Sequence, residues 1–545
     1  MHPLHNTDKK KCPFAGAGFP QGADHAPGGT LDCADWRPRE DLFPNGLPYL
    51  TQQGEGGIPL LLYSWGFVPP ADGNVMNNFT WITSGREAMV QLNETYAFYS
   101  MIRDRFLAFN GTSFEEDNTD SWTTQWAQSM VGVDTASTWW MGFATPWCEA
   151  GIPVQACEST ASDLLEALKY GCITSSRDTI DDVPGAGGNS NPLVPGGGNA
   201  VNFLHRWRVG QDRLLMASIN IHPFFDNVWS TMWQNSSTWA GFAEYYVELA
   251  WILSVLSGGA VGFSDMPYNS NRTLIMTACK EDGALLGASL PSYYLDDVYR
   301  PKGSVPGLDP TVGRVYQAPS FIPSTPAHAR RVEAARARAG GFDASPITGI
   351  CTAASPESCG AAAAAAYGTF TTVLAIDMNS TAAQLAPWQL TPDLSAGGAY
   401  VAVPWSRGAA ATAAACAPGA PPTPCTLPFS PTSPLPLFTG APATNYTHDF
   451  ELYSISPLFS SGWALLGELD KVVRVSPARF AWVAGDGEGL RFEVTGSSGM
   501  GEEVVVTLLQ PGGNGAVVLP LALSLPPTGA CVVTCAQNCT WECPT

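Results

Sequence analysis

From about residue 46 to residue 265, short apolar segments alternate with longer stretches that have the hydrophobic spacing of helices. The clearest apolar segment is 58–65 (IPLLLYSW), which shows no polar alternation. Such a run is typical of a parallel strand buried on both faces. Strands that alternate with helices indicate βα units and a parallel sheet. The further strand candidates are 111–117, 152–157, 171–176, 215–222 and 260–263.

Helical spacing is expected between these strands. The first helix is predicted at 84–107, where Ser84 and Glu87 have the spacing of a capping box. The others are predicted in a Trp-rich stretch through Cys148, at 161–169, from 202–209 onward, and at 240–256. The apolar stretch 246–263 contains Glu248 and a Ser-Gly-Gly break. It therefore predicts a buried helix, a turn and a strand, and no membrane span, which would need about 20 uninterrupted apolar residues.

The rest of the chain differs in composition. Residues 1–45 are rich in Gly, Pro and Asp, and 301–445 contain Ala- and Pro-rich tracts. We expect an irregular remnant of the barrel start at 1–45 and linker and insertions with the start of a β-domain at 301–445. Short β-like segments at 472–475, 490–494 and 503–508 predict an antiparallel sandwich at 446–530, followed by a Cys-rich tail at 531–545. The alternating region, 46–300, is assigned to one (β/α)₈-type barrel, because such a barrel uses about 250 residues.

Charge narrows the classes of partner. The chain has 545 residues, a net charge of −21 and only 14% charged residues. A nucleic-acid partner is disfavoured, because affinity for a phosphate backbone comes mostly from clustered Lys and Arg. Neutral carbohydrate fits better, since the 18 Trp are side chains that can stack on sugar rings. No oligomeric state is predicted.

Cysteines and glycosylation motifs predict an oxidising, extracellular or endomembrane location. The 14 Cys form an even set, and the last four are spaced as in a disulfide-bonded tail rather than a zinc site. Local pairs are expected for Cys351 with Cys359 and for Cys416 with Cys425. Eight N-x-[ST] motifs support a secreted glycoprotein. The start MHPLHNTDKKKCPF has no apolar signal-peptide core. Either secretion is wrong or Met1 is not the natural start, and we favour the second interpretation.

Acidic residues follow several of the predicted strands. Carboxylates at the ends of barrel strands are the groups that glycoside hydrolysis needs, one as nucleophile or base and one as proton donor. The alternative is that each acid caps the following helix. No serine-hydrolase elbow, P-loop or zinc-protease motif occurs. The residues at these strand ends are Trp65, Glu115, Glu116, Asp117, Cys157, Glu158, Arg177, Asp178, Asp181, Asp182, His222, Asp226, Trp229 and Asp265.

The order of these segments resembles the retaining α-glycosidase clan that includes α-galactosidases and the raffinose synthase and seed-imbibition proteins. The similarity covers about residues 45–300 and 446–535. The matching stretches are PLLLYSW (59–65), SFEED (113–117), GIPVQAC (151–157), SSRDTIDD (175–182), FFDNVWST (224–231), LSGGAVGFSD (256–265), NRTLIMTACKEDGALL (271–286) and HDFELYSISPLFSSGWALLGELDKVV (448–473).

The resemblance implies a (β/α)₈ barrel followed by an antiparallel β-sandwich, a two-carboxylate mechanism, and no metal or organic cofactor. Asp117 matches the nucleophile after the fourth barrel strand. Asp181 matches the acid/base, with Asp178 and Asp182 as rivals within the register error. The implied substrate-binding residues are Trp65, Arg177, Asp226, Trp229 and Asp265.

The chain departs from the pattern of the family in three places. Many α-galactosidases have Lys two residues before the nucleophile, where this chain has Glu115, and this changes the expected sugar contacts. The segment around Arg177 is an imperfect match. The family's N-terminal β-domain and first barrel strand have no counterpart before 44–50, so the barrel is expected to be incomplete at its N-terminus.

Three functions follow as alternatives. The first is a retaining glycosidase that acts on α-linked, α-galactoside-like sugars. The second is a galactosyltransferase of the raffinose synthase type, in which a sugar replaces water as the acceptor. The third is a non-catalytic carbohydrate-binding or surface protein that keeps the fold.

Overall fold

The chain divides into two compact units, Met1–Ile180 and Asp181–Thr545. The computed structural model describes residues 31–32, 37–38, 44–52, 57, 59–64, 78–84, 87–117, 119, 132, 134–157, 159–177, 213–225, 228–235, 244, 246–295, 314–338, 367–376, 384–395, 398–405, 425–437, 450–497, 499–512, 516–527 and 529–543.

Parallel strands and helices alternate in the first unit. The strands are β1 (Leu61–Ser64), β2 (Ser113–Glu116), β3 (Val154–Ala156) and β4 (Ile173–Arg177), and they lie side by side in chain order. The pairs β1–β2, β2–β3 and β3–β4 are all parallel, as the alternation of strands and helices predicts. The helices are α1 (Thr95–Ala108), α2 (Thr135–Glu149) and α3 (Ala161–Ala167), and a short helix spans Leu47–Thr51. Closure of these strands into a barrel stays a prediction.

Aromatic side chains form the contact between the sheet and its helices. Phe114 on β2 stacks on Trp147 of α2 with ring centroids 4.0 Å apart, and Phe106 of α1 meets the same indole edge-on at 5.5 Å. All three rings are at most 1% exposed. Burial of one such side chain contributes about 1.5–3 kcal/mol, so this cluster fixes α1 and α2 against one face of β2.

The first helix expected at 84–107 is present from Thr95 to Ala108, but its predicted start and capping box are wrong. Residues Trp81–Ser84 and Glu87–Val90 form an antiparallel hairpin in which Ser84 pairs with Glu87, and α1 begins only at Thr95. A further two-stranded pair joins Leu31–Asp32 to Arg37–Pro38.

The second unit begins with helical segments. Helix α4 (Arg213–Ser218) is followed by the short strand β5 (His222–Phe224), helix α5 (Val247–Val255) and a short helix at Arg272–Ile275. The predicted strand at 215–222 is therefore wrong over most of its length. Its Leu, Met and Ala favour helix, and Asn220 at φ 62° has the left-handed conformation that follows many helix ends.

Helix α5 is buried along its length from Leu249 to Val255. In the described part of the chain, no helix has both the length and the apolarity needed to cross a membrane. The strand predicted at 260–263 is reduced to one parallel bridge between Val228 and Phe263.

Antiparallel sheets make up the rest of the second unit. A six-stranded sheet has the order β6-β7-β8-β11-β9-β10, and its members are β6 (Tyr293–Tyr294), β7 (Arg314–Pro323), β8 (Tyr367–Ile376), β9 (Ala399–Pro404), β10 (Leu427–Phe429) and β11 (Phe450–Leu458). Helix α6 (Pro326–Arg338) follows β7, and Gln384–Leu385 pairs with Leu435–Pro436. Long paired strands therefore occupy part of 301–445, the region predicted to contain linker and insertions with the start of a β-domain.

Two smaller sheets follow. One contains β12 (Ala464–Gly467), β15 (Glu502–Gln510) and β16 (Val517–Leu525), and the other contains β13 (Phe480–Gly485), β14 (Leu490–Thr495), β17 (Ala530–Cys535) and β18 (Cys539–Glu542). Side chains from both sheets share one apolar core, which includes Val506, Leu508, Phe492 and Val533. The β-like segment predicted at 472–475 forms no strand, because Val472 and its neighbours pack as a buried irregular segment.

Disulfides join three pairs of described cysteines: Cys148 with Cys172, Cys531 with Cys543, and Cys535 with Cys539. The last four cysteines, expected in a tail, thus lie in or beside the paired strands β17 and β18. Among the described residues, Cys157 and Cys279 are reduced. The pairs expected for Cys351–Cys359 and Cys416–Cys425 involve residues that lie, apart from Cys425, outside the described ranges.

We expect the double variant Cys148→Ala/Cys172→Ala to lose about 3 kcal/mol of stability. The bond joins the end of α2 to the residue before β4 across 24 residues, and cross-linking a loop of this size stabilises by about that amount through the entropy of the unfolded chain. Urea unfolding of the variant and the wild type measures the difference. A loss below about 1 kcal/mol would contradict this account.

Candidate functional site

The register of the parallel strands places polar side chains in one lateral row. Tyr63 pairs with Glu115, Glu115 with Gln155, and Gln155 with Ser175. Paired residues of neighbouring strands project from the same face of a sheet. These four residues, which we call the polar row, are all partly or largely exposed, and Tyr63 is 43% exposed. The row therefore offers hydrogen-bonding groups on an accessible face close to the carboxyl ends of the strands.

The opposite face of the sheet is apolar and carries the helices, yet it includes one acid. Phe114 and Glu116 alternate with Glu115 on β2, and Glu116 is fully buried. The Tyr99 hydroxyl of α1 donates to Glu116 Oε1 at 3.0 Å. Burial, followed by the negative charge of Glu116, raises the pKa of Tyr99 well above its usual value, so the phenol keeps the proton that it donates. Glu116 is thus enclosed where no dissolved substrate reaches it.

Asp117 lies directly after β2, at the carboxyl edge of the sheet. Its backbone N–H donates to the Ser64 carbonyl at 2.9 Å and extends the pairing with β1 by one residue. The Tyr63 hydroxyl donates to Asp117 Oδ2 at 2.5 Å, and Asp117 is 8% exposed. One carboxylate oxygen is thereby held in a fixed orientation by a neighbouring strand.

The Tyr63 hydroxyl stays protonated under ordinary conditions. Burial is the largest cause that raises the pKa of Tyr63, although 43% of the residue stays exposed. The charge of Asp117 and the hydrogen bond to it raise that pKa further, and Cys157 and Glu115 add to the effect. A neutral phenol beside a carboxylate acts as a hydrogen-bond donor. Tyr63 therefore orients and stabilises the Asp117 anion.

Two further chemical groups occupy the same edge. The reduced thiol of Cys157 follows β3 and is buried, and its backbone N–H bonds the Glu116 carbonyl at 2.8 Å. Thr119 binds the Cys157 carbonyl through both its N–H and its hydroxyl. Arg177 ends β4 and is 5% exposed. The edge thus combines a carboxylate, a phenol and a guanidinium, which come from three strands.

In the second unit, Asp265 accepts three hydrogen bonds from the 228–235 segment. The donors are the Ser230 N–H at 2.9 Å, the Ser230 hydroxyl at 2.5 Å and the Gln234 side-chain amide at 2.9 Å. Gln234 in turn accepts from the Met266 N–H. These bonds give Asp265 a structural role in holding two segments together, and its predicted contact with sugar stays a prediction. Trp229, also predicted to bind substrate, is 3% exposed.

The remaining predicted site residues lie outside the described ranges. They are Trp65, Asp181 and Asp226, together with the rival acids Asp178 and Asp182. The structure therefore places Asp117 and Arg177 at the same edge of the first unit, at the ends of strands that are separated by β3. It adds Tyr63, which sequence reasoning missed; the available signal was a hydroxyl-bearing residue next to the end of a predicted strand.

The arrangement can hold and orient an anionic nucleophile or base. In the described part of the chain, no group of three His, Cys, Asp or Glu side chains is placed to hold a metal ion. No family model matches this chain, and no curated protein resembles it significantly.

Proposed function

We propose that this protein is a retaining glycoside hydrolase that acts on α-linked sugars, with Asp117 as nucleophile and Asp181 as acid/base. The observation that carries the proposal is the hydrogen bond from the Tyr63 hydroxyl to Asp117 at the carboxyl edge of a parallel sheet. Catalytic groups of (β/α)-barrels lie at this edge. A carboxylate that must attack a carbon atom benefits from a fixed orientation, since proximity and alignment lower the barrier.

In the first step, a carboxylate oxygen of Asp117 attacks the anomeric carbon of the sugar. The bond from that carbon to the glycosidic oxygen breaks, and Asp181 gives its proton to the departing oxygen. A sugar ester of Asp117 results. Tyr63 contributes by holding Oδ2 throughout, and its donor proton is retained because the pKa of Tyr63 is raised.

In the second step, Asp181 removes a proton from water, and the resulting oxygen displaces Asp117 from the anomeric carbon. The product has the configuration of the substrate. If a sugar hydroxyl replaced water in this step, the same chemistry would transfer the glycosyl group to that sugar, which is the raffinose synthase-type alternative.

The surroundings of Asp117 suit a neutral, hydroxyl-rich ligand. The polar row of Tyr63, Glu115, Gln155 and Ser175 supplies donors and acceptors on the accessible face. Arg177 adds a positive charge on the same edge, four residues before Asp181 in the chain. Held directly against Asp181 it would lower the pKa of that acid and oppose proton donation. We therefore assign Arg177 to sugar hydroxyls.

Covalent trapping tests the proposal. The full chain is incubated with fluorinated α-galactosyl and α-glucosyl fluorides, which form long-lived glycosyl esters in retaining enzymes, and digested peptides are analysed by mass. Because Glu115 and Asp117 lie on one peptide, fragmentation of that peptide locates the ester. We expect it on Asp117, with retained configuration in the product of an aryl α-glycoside. An adduct on Glu115 would reassign the nucleophile, and inversion would exclude the mechanism. Sugar binding with neither adduct nor turnover would favour a non-catalytic protein.

A further inference from the structure

All asparagines of the N-x-[ST] motifs that lie within the described residues are exposed. They are Asn78, Asn93, Asn110, Asn235, Asn271 and Asn538. The other two motif asparagines, Asn379 and Asn445, lie outside the described ranges. A glycan attached to a folded protein must project into solvent. The six positions satisfy this requirement in both units of the chain.

We propose that these six asparagines carry N-linked glycans in the folded protein. This modification is independent of the proposed hydrolase function. The chemistry joins the side-chain Nδ2 to the anomeric carbon of an oligosaccharide that is carried on a lipid diphosphate. The bond from that carbon to the diphosphate oxygen breaks, and the amide loses one proton as the lipid diphosphate departs.

Asn110 shows how the fold accommodates a bond between the asparagine Nδ2 and a sugar. It lies between α1 and β2 with φ 56°, and its Nδ2 donates to the Thr51 hydroxyl at 3.2 Å. A glycosylated amide keeps one N–H, so the modification is compatible with this hydrogen bond. Left-handed φ is tolerated by Asn better than by most residues, which makes Asn suitable here before any modification.

The fold is compatible with a glycan on Asn271 for a different reason. Its Oδ1 accepts from the Leu274 N–H at 3.2 Å and caps the short helix Arg272–Ile275. Its backbone N–H donates to the Ser230 hydroxyl. Neither bond uses Nδ2, the atom that would join the sugar. The cap and the glycan can therefore coexist on one side chain.

Two further observations support passage through a compartment that attaches glycans. Disulfides connect Cys148 with Cys172, Cys531 with Cys543, and Cys535 with Cys539, and such bonds persist in oxidising compartments. Charged residues make up only 14% of the chain, against about 25% in an average soluble protein. Attached sugar would supply the hydration that charges provide elsewhere.

The test uses the full chain, secreted from cultured eukaryotic cells behind a cleavable leader. Peptide N-glycosidase converts each glycosylated Asn to Asp, and peptide mass analysis locates the conversions. We expect conversion at all six positions. Asn220 is exposed but lies outside any motif, so it is the matched control and should stay unchanged. Secreted, protease-resistant protein with no conversion at these positions would overturn the proposal.

A single variant separates the glycan from the structural role of its asparagine. Thr273→Ala removes the motif at Asn271 but leaves the cap in place, and Thr273 is exposed. We expect the intact mass to fall by one glycan, with secretion retained. An unchanged glycan mass would contradict assignment of a glycan to Asn271. Thr540→Ala provides the same comparison for Asn538.

Discussion

Replacing Asp117 by Asn is expected to lower turnover of an aryl α-glycoside by about 10³-fold or more, on the scale seen when an enzymatic nucleophile is removed. The amide keeps the shape of the side chain and can still accept from Tyr63. It cannot form the glycosyl ester, because the neutral amide is a poor nucleophile. Initial rates under saturating substrate measure the effect, and substrate affinity should change little. Retention of more than about a tenth of the activity would remove Asp117 from the mechanism.

Glu115→Gln is the matched control for that experiment. Glu115 is the neighbouring acid on the accessible face, in register with Tyr63, whereas Glu116 is enclosed by the helix layer. We expect the control to alter mainly the KM, because Glu115 is placed to contact sugar hydroxyls.

Chemical rescue gives a second test of the nucleophile. In an Asp117→Ala variant, added azide should restore turnover, and the product should be a glycosyl azide of inverted configuration. Rescue of a Glu115→Ala variant instead would transfer the nucleophile role to Glu115.

The sequence predicts where the parallel strands of the first unit lie, because each is a short segment between helical stretches. Segments 58–65, 111–117 and 152–157 contain β1 to β3, and β4 ends one residue beyond segment 171–176. A continuous apolar run such as 58–65 is typical of a strand with both faces covered, but Leu61 and Tyr63 of β1 are 46% and 43% exposed, so the burial expected for that strand is wrong on one face. The run at 215–222 fails because such a run cannot be told from a buried helix by periodicity alone.

The candidate site is only partly readable from sequence. Alternation on β2 separates Glu116, which shares a face with Phe114, from Glu115. This alternation leaves Glu115 and Asp117 as strand-end acids, and the choice of Asp117 between them rests on the resemblance to the α-glycosidase clan. The partner of Asp117 could not be selected from the sequence, because the contact between Tyr63 and Asp117 joins residues 54 positions apart and depends on strand register. No local pattern in the sequence fixes that register.

A second large effect is expected in the second unit, at Arg479. This side chain is fully buried, and its Nε donates to Glu468 at 2.8 Å while its two terminal nitrogens bind Glu502 at 2.7 and 2.9 Å. It also donates to the Thr495 carbonyl at 2.7 Å. Glu468 and Glu502 side chains are only 5% and 8% exposed. One guanidinium thus satisfies two buried carboxylates and ties β13 and β14 to β15.

Arg479→Met should lower the free energy of unfolding by about 3–5 kcal/mol, because removing one partner of a buried ion pair leaves uncompensated buried charge. Urea unfolding followed by far-UV circular dichroism measures the loss. Arg491→Met is the matched control, since Arg491 is exposed on β14, and surface changes usually stay within about 0.5 kcal/mol. The substitution Glu468→Gln should lower the free energy of unfolding less in the Arg479→Met variant than in the wild type. Equal costs for Arg479→Met and Arg491→Met would refute the network.

Acid titration separates this electrostatic account from simple loss of packing. Burial alone would raise the pKa of Glu502, but hydrogen bonds from Arg479 and Ser497 outweigh it and lower that pKa to about 2, from an ordinary value of 4.5. A carboxyl whose pKa is lowered by folding stabilises the fold above the ordinary value, and this contribution is lost as the pH falls from 4.5 towards 2. Burial also raises the pKa of Glu468, where the contacts with Arg479 do not outweigh it, so that carboxyl already takes up its proton above pH 4.5. The Glu502 effect therefore predicts that the difference in unfolding free energy between the wild type and Arg479→Met narrows as the pH falls from 4.5 towards 2, whereas a pure packing defect would leave the difference constant.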